Sequence, residues 1–322
     1  MKLDTLYRIV VIAAALSVGT ASAQQYPSRP LRLIVPFAPG GATDVIARIV
    51  AAKLTESLGQ QVITDNRAGG GGNIGYGLAA NAAPDGHTIL IMSSSFLVNQ
   101  ALYPKAPYDP NRSFIPITNM ASAPAVIVVH PSVPAKNVPE LIRLAKASPG
   151  KYNIATPGIG TIPDLSAAWL KLTEQVDIAT VPYTGAGPAL GAVLANQVQI
   201  AYMALPTVVQ HVQNGRLRAL AVTSVARAAS MPDVPTVAEQ GLTGHESEIP
   251  NGVLVPAGAA KVIVERIYKE VTAILAQTET RDRIQGLGYT VISNTPEQFA
   301  AQIRSEVAKW SKVIKSAGIK VE

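Results

Sequence analysis

The chain reads as an α/β protein built from two lobes. Strand-like and helix-like stretches alternate along most of its length. Loops rich in Gly, Pro and Thr recur where a strand hands over to a helix. Proline-interrupted extended stretches, rather than a low-complexity linker, join the halves. Alternation of this kind folds as a mostly parallel sheet with helices on both faces.

The first strand-like run is Leu31 to Phe37. It is followed by helical spacing over Thr43 to Gly59, with Val45, Ile46, Ile49, Val50 and Leu54 on one face and Gly59 as a stop. "QQVITDN" and "HTILIMSS" are the next strands. "FIPITNMASAPAVIVVH", interrupted by Pro116 and Pro124, is the expected crossover between lobes. Beyond it come helix-like "NVPELIRLAKAS", strand "YNIAT", helix "DLSAAWLKLTEQ", strand "IATVPY", helix "PALGAVLANQ" and strands "IAYMAL" and "LRALAVTS". "LAVTSVARAASMPDVPT" is the expected return. Three helical patterns then close the chain. The last opens on Thr295-x-x-Gln298, a capping box. Residues 24–123 with 225–300 are expected to form lobe 1, 124–224 lobe 2, and 301–322 a helix packed across both.

The chain has 322 residues, 48% of them hydrophobic and 15% charged, which excludes a disordered composition and supplies a sizeable core. At the start, Lys2 and Arg8 precede an apolar run from Ile9 to Gly19, and Ala21-Ser22-Ala23 has the small-x-small pattern of a cleavage site. Residues 1–23 therefore read as a secretory signal peptide cut after Ala23, and the mature protein is expected in the periplasm. The chain has no cysteine, hence no disulfide, thiol nucleophile or lipidated Cys. Its formal charge is +6, or +5 without Lys2, Asp4 and Arg8, with the Lys and Arg scattered; nucleic-acid binding is not expected.

Gly70-x-Gly72-x-x-Gly75 has the outline of a dinucleotide fingerprint. The acidic residue that should follow about 20 positions later is missing: Ser93, Ser94 and Ser95 stand there. The glycines are instead expected to allow a tight turn and close helix packing. The four histidines, at 87, 130, 211 and 245, form no metal-ligand spacing, and no Gly-x-Ser-x-Gly elbow occurs. No cofactor, metal or catalytic residue is expected. Trp169 and Trp310 read as core.

Three strand-to-helix loops share one design: Pro36 to Asp44, Thr156 to Asp164, and Pro182 to Leu190. Free amides at a helix N-terminus, with the helix dipole, attract anions. In open α/β sheets such loops gather beyond the carboxyl ends of the strands. A carboxylate-binding cleft follows. Its candidate residues are Phe37, Ala38, Pro39, Gly40, Gly41 and Thr43 in the first loop, with the hydroxyls of Ser93 and Ser94 beside it. The second loop contributes Thr156, Gly158, Gly160 and Thr161, and the third Tyr183, Thr184, Gly185, Gly187 and Pro188.

From Tyr26 onward, "YPSRPLRLIVPFAPGGATDVIAR", "NRAGGGGNIG", "PDGHTIL", "VPYTGAGPAL", "PDVPTVAEQGL" and the ending "KWSKVIKSAGIKVE" resemble, in order, the Bug/TctC family of periplasmic solute-binding proteins of tripartite tricarboxylate transporters. The resemblance implies a two-lobed periplasmic-binding-protein fold of type II-like form, with the ligand cleft between the lobes. It implies capture of a small di-, tri- or aromatic carboxylate by backbone amides and hydroxyls at Phe37 to Thr43 and Tyr183 to Pro188. It further implies a monomer that delivers to the large and small membrane subunits of the transporter. Pro163-Asp164-Leu165 departs from the His-Leu usual in the family. A ligand-sensing module for a receptor kinase and a periplasmic enzyme on the same fold are the alternatives.

Overall fold

The computed structural model describes residues 26–103, 105–316 and 319. The leader and the cleavage expected after Ala23 lie outside them. Among the described residues ten strands form one sheet, eight along a continuous path and two paired off it to the longest strand, and the chain folds it into two lobes.

In the first lobe, β1 (Leu31–Val35) lies between β2 (Val62–Asn66) and β3 (Thr88–Met92), all parallel. Helices α1 (Ala42–Leu58), α2 (Asn73–Ala80) and α3 (Ser95–Leu102) follow these strands in turn. In the second, β5 (Asn153–Thr156) lies between β6 (Ala179–Pro182) and β7 (Ile200–Ala204), again parallel. Here α5 (Ile162–Glu174), α6 (Ala186–Leu194) and α7 (Leu205–Gln213) follow. The second lobe is entered through α4 (Val138–Ala147). The two lobes thus repeat one strand order.

The parallel strands meet antiparallel ones at the junction. β4 (Phe114–Val129) is a single 16-residue strand. Its first part pairs with β9 (Glu248–Pro256), from Phe114↔Pro256 to Pro124↔Glu248. From Ala125 onward it pairs instead with β7 and with β8 (Arg218–Val222). The expected crossover, interrupted in sequence by Pro116 and Pro124, is therefore one unbroken strand shared by both lobes. Its far half is buried on both faces: Val126 and Val128 enter one apolar cluster, Ile127 and Val129 the other. That is the period-two pattern of a strand covered by helices on each side.

Local chemistry accounts for the helix ends. Gly59 closes α1 in the left-handed region at φ 67°, its amide bonding to Thr55 O. Helices α8 (Lys261–Ala276), α9 (Thr278–Gly286) and α10 (Pro296–Ser316) complete the first lobe, with the two-residue β10 (Thr290–Val291) on the near half of β4. The capping box forms at α10: Thr295 N donates to Gln298 Oε1, and Gln298 N donates to Thr295 Oγ1. Phe299 in the first turn of α10 brings the tip of its ring against Gly252 of β9, where an added Cβ would collide with Cζ. Phe299 itself is fully buried. Gly252→Ala should therefore lower stability by about 1–3 kcal/mol. An unchanged urea midpoint would show that α10 can retreat freely.

Candidate functional site

The loops after β1 and β5 are built alike. Each has a left-handed glycine, Gly40 at φ 84° and Gly160 at φ 76°. Each then has an extended N-cap, Gly41 or Thr161, and an aspartate three residues on. The aspartate turns back to the glycine: Gly40 N donates to Asp44 Oδ2 at 3.0 Å, and Gly160 N donates to Asp164 Oδ2 at 3.1 Å. The Thr161-x-x-Asp164 box is thus made with Gly160 rather than Thr161 as the amide that reaches the carboxylate. Thr161 Oγ1 still accepts from Asp164 N, at 3.4 Å.

The two carboxylates differ in their counter-charges. Burial pushes Asp44 up, but bonds from Arg48, Gly40 and Asn66 outweigh it and hold the group below its usual range. Burial also pushes Asp164 up. There the Gly160 amide, the Thr156 hydroxyl and a more distant Lys171 offset it only in part, and the carboxyl stays above its ordinary value.

The helix ends differ as well. The N-terminus of α5 is satisfied: Thr161 caps it, Pro163 carries no amide hydrogen, and Ile162 N donates across the cleft to Ser94 Oγ at 3.1 Å. The N-termini of α1 and α6 have glycine N-caps, Gly41 and Gly185, and no capping side chain. Their first-turn amides have no intrahelical acceptor. These two ends, from opposite lobes, meet. A Cβ on Gly41 would lie 3.5 Å from Ala186 Cβ and 3.9 Å from Ala186 N. A Cβ on Gly185 would lie 3.1 Å from Ala38 Cβ, and one on Gly187 3.1 Å from Pro39 O. At Gly185 and Gly187 a Cβ would be tight against the other lobe, while at Gly41 it would make ordinary contact with Ala186.

Between the two ends lies an open cleft whose free space, with the solvent at its mouth included, is about 410 Å³. Phe37, Gly41, Thr43, Ser93, Ser94 and Thr161 of the expected residues line it, and Tyr289 Oη donates to Ala42 O beside it. No charged side chain lines it among the described residues. Ala42 and Ala186 on its walls fall within the expected stretches Phe37 to Thr43 and Tyr183 to Pro188, whereas Pro157, Pro163, Ala204 and Ile249 were not singled out. Ala204 ends β7 as Ser93 follows β3, so the strand-end rule could have found it; Ile249 carries no such signal. Thr156 is fully buried, its hydroxyl donated to Asp164. Pro39, Gly40 and Pro188 are exposed at the rim.

A second, open chamber, about 600 Å³ of free space with the solvent at its mouth included, shares the walls Phe37 and Pro157 with the first. The stretch Gly69 to Gly72 forms one side, every residue at positive φ. Gly158, Tyr183, Thr184 and Tyr103 line it too. The glycine motif serves close approach: a Cβ at Gly75 would sit 2.9 Å from Pro36 Cα, and one at Gly71 would sit 3.0 Å from Ile159 O of the other lobe.

A two-lobed α/β fold with an inter-lobe cavity at the strand carboxyl ends is that of a periplasmic solute-binding protein. Residues 46–319 match the tripartite tricarboxylate transporter family receptor, TctC, and the chain belongs to that family. It is 34% identical over 315 residues to Protein BugT of Bordetella pertussis, covering 97% of each chain. A solved Rhodopseudomonas palustris protein with adipate is 32% identical, at a TM-score of 0.89 over 92% of this chain and all of that one. MatC from Rhodopseudomonas palustris, with bound malate, is 30% identical at a TM-score of 0.86, over 90% of this chain and all of that one.

Asp164 gives a prediction with a definite sign. Its carboxyl is raised in the fold, so its contribution to stability is full below the ordinary value of 3.8 and is lost as pH rises through the raised value. Asn fits the same bonds, accepting from Gly160 N and donating to a rotated Thr156 hydroxyl. Asp164→Asn should be at least as stable as the native protein at pH 7, with the difference shrinking toward pH 4. Melting curves at the two pH values check this, and a variant that melts lower at pH 7 than at pH 4, relative to native, would contradict it.

Proposed function

We propose that this protein is an exported receptor that captures a small carboxylate between its lobes and passes it to the membrane subunits of a tripartite tricarboxylate transporter. The observation that carries this reading is the meeting of two uncapped helix N-termini, one from each lobe, at a cavity without charged side chains. A carboxylate there accepts from amides of α1 and α6 and from the surrounding hydroxyls, and each dipole end is worth about 0.3–1 kcal/mol, up to about 2 when partly buried. The bound carboxylates of the adipate and malate structures agree with that chemistry. Ser94 supports a binding role over a nucleophilic one, because its oxygen accepts the Ile162 amide and no base adjoins it among the described residues.

The closing bodies follow the sheet partners: residues 26 to about 124 with 248–316 on one side, and the segment between on the other. Capture is coupled to closure because the ligand bridges both helix ends and so binds the closed state better. Small-angle scattering should give a smaller radius of gyration with saturating carboxylate than without. An unchanged profile would mean that the ligand does not drive closure.

Gly41→Val tests the site itself. At φ −83° the backbone accepts a side chain, and an N-cap change from Gly costs about 1 kcal/mol or less. The γ carbons, however, would occupy the space between Gly41 and Ala186. A thermal-shift screen of mono-, di- and tricarboxylates finds the ligand, and calorimetry should then show affinity lowered about 10- to 100-fold in the folded variant. Native affinity in Gly41→Val would remove the carboxylate from this loop.

A further inference from the structure

The second chamber is not a copy of the first. Neither of the bare helix ends points to it, and no Lys, Arg or His lines it among the described residues. Two main-chain oxygens stand on its walls: Tyr183 O, 3.0 Å from the Cβ position of Gly158, and Ile159 O, 3.0 Å from that of Gly71. Neither accepts a backbone hydrogen bond among the described residues. The Tyr103 hydroxyl lies 3.1 Å from the same Gly71 position, and Asn99 Oδ1 lies 3.5 Å from it. Asn99 is fully buried and its Oδ1 has no donor, while its Nδ2 is committed to Gly71 O and Asn73 Oδ1.

Behind this wall sits Asp164, held by Gly160 N and the Thr156 hydroxyl, with no cation within salt-bridge distance among the described residues. Burial first, and the Asp164 charge second, push the Tyr103 hydroxyl up, so it remains protonated. A protonated phenol has lone pairs with which to accept from a ligand as well as a proton to donate. The chamber therefore offers acceptors, a nearby negative charge, and on its opposite side the Gly70 and Gly71 backbone. A hydroxyl both donates and accepts and matches such walls; a carboxylate only accepts. A second carboxylate would also meet the Asp164 charge without a counter-ion.

Resting on the reading of the inner cavity as the carboxylate site, we infer that the ligand of this protein carries an uncharged hydrogen-bond donor at its far end, and that dicarboxylates are discriminated against. This separates the chain from its relatives of known structure with adipate and malate.

The test is calorimetry on two matched sets, 6-hydroxyhexanoate, hexanoate and adipate, and 4-hydroxybenzoate, benzoate and terephthalate, at low and high salt. In whichever set binds, the hydroxy acid should bind about tenfold or more tightly than the diacid, with the gap narrowing as salt screens Asp164. Asp164→Asn should narrow the same gap at low salt. A diacid that binds as tightly as its hydroxy partner overturns the inference. So does a gap that neither salt nor Asp164→Asn alters. If that variant fails to fold, the ranking and salt response of the unaltered protein decide. Binding by none of the six would fall on the carboxylate reading itself, and this inference would fall with it; binding by the diacids alone would leave that reading standing and defeat only the inference.

Discussion

Two positive helix ends facing one another are the constraint on which the arrangement of this molecule depends. The N-termini of α1 and α6 come from different lobes and carry the same partial charge. Brought together in a cavity without carboxylate side chains, they repel and leave amides unsatisfied. An anion between them reverses both penalties. The glycines at 185 and 187 set how near the ends can come, because a Cβ at either would crowd the opposite lobe. Close approach thus comes from backbone, and no arginine lines the cleft among the described residues, so in the proposed function recognition falls to dipoles and hydroxyls.

The two lobes use one plan and vary it. Gly40 and Gly160 take the same left-handed conformation, and Asp44 and Asp164 bond back to them in the same way. In the first lobe Arg48 neutralises the aspartate one helical turn on, which leaves the dipole of α1 available for a ligand. In the second, the end of α5 is filled by Thr161, Pro163 and Ser94, and the third loop, opening α6, takes over the facing position. Asp164 is then a charge with little to balance it, and its burial against that deficit is why its carboxyl is raised.

Much of this was legible in the chain, and the remainder was hidden for physical reasons. Helix α1, its Gly59 stop and the Thr295 capping box have local signatures, and they appear where spacing places them. The three glycine-rich loops were also visible, since left-handed turns and bare N-caps need glycine. The shared strand β4 reads in sequence as a stretch interrupted at Pro116 and Pro124, because proline argues locally against a continuous strand. Tertiary pairing overrides that signal, for proline is tolerated where the ladder is irregular or changes partner. Antiparallel β9 beside parallel β3 was not legible, because pairing direction is set by topology rather than by side-chain period. Nor was the repeat between lobes, since it is a repeat of strand order and loop conformation without a repeat of residues. Ala204 and Ile249 reach the cavity through that topology alone.

The junction shows why closure can be directed. Both lobes hang on adjacent antiparallel strands rather than on a flexible linker, so relative motion is a bend across β4 and β9 and not free rotation. The register of this pair shifts between Pro116 and Thr118 and again between Asn119 and Ala121. Pro124 and Pro250, which supply no amide hydrogen, lie close to the point where β4 exchanges β9 for β7 and β8. Bending there strains few ladder bonds, while the two parallel sheets on either side stay intact. The same strands lead to the cavity wall through Ile249, one residue beyond the Pro124↔Glu248 pair. In the proposed capture, bending at the junction and contact with the ligand would therefore be joined by β9, which makes the junction part of the cleft's mechanics and not a remote support for it.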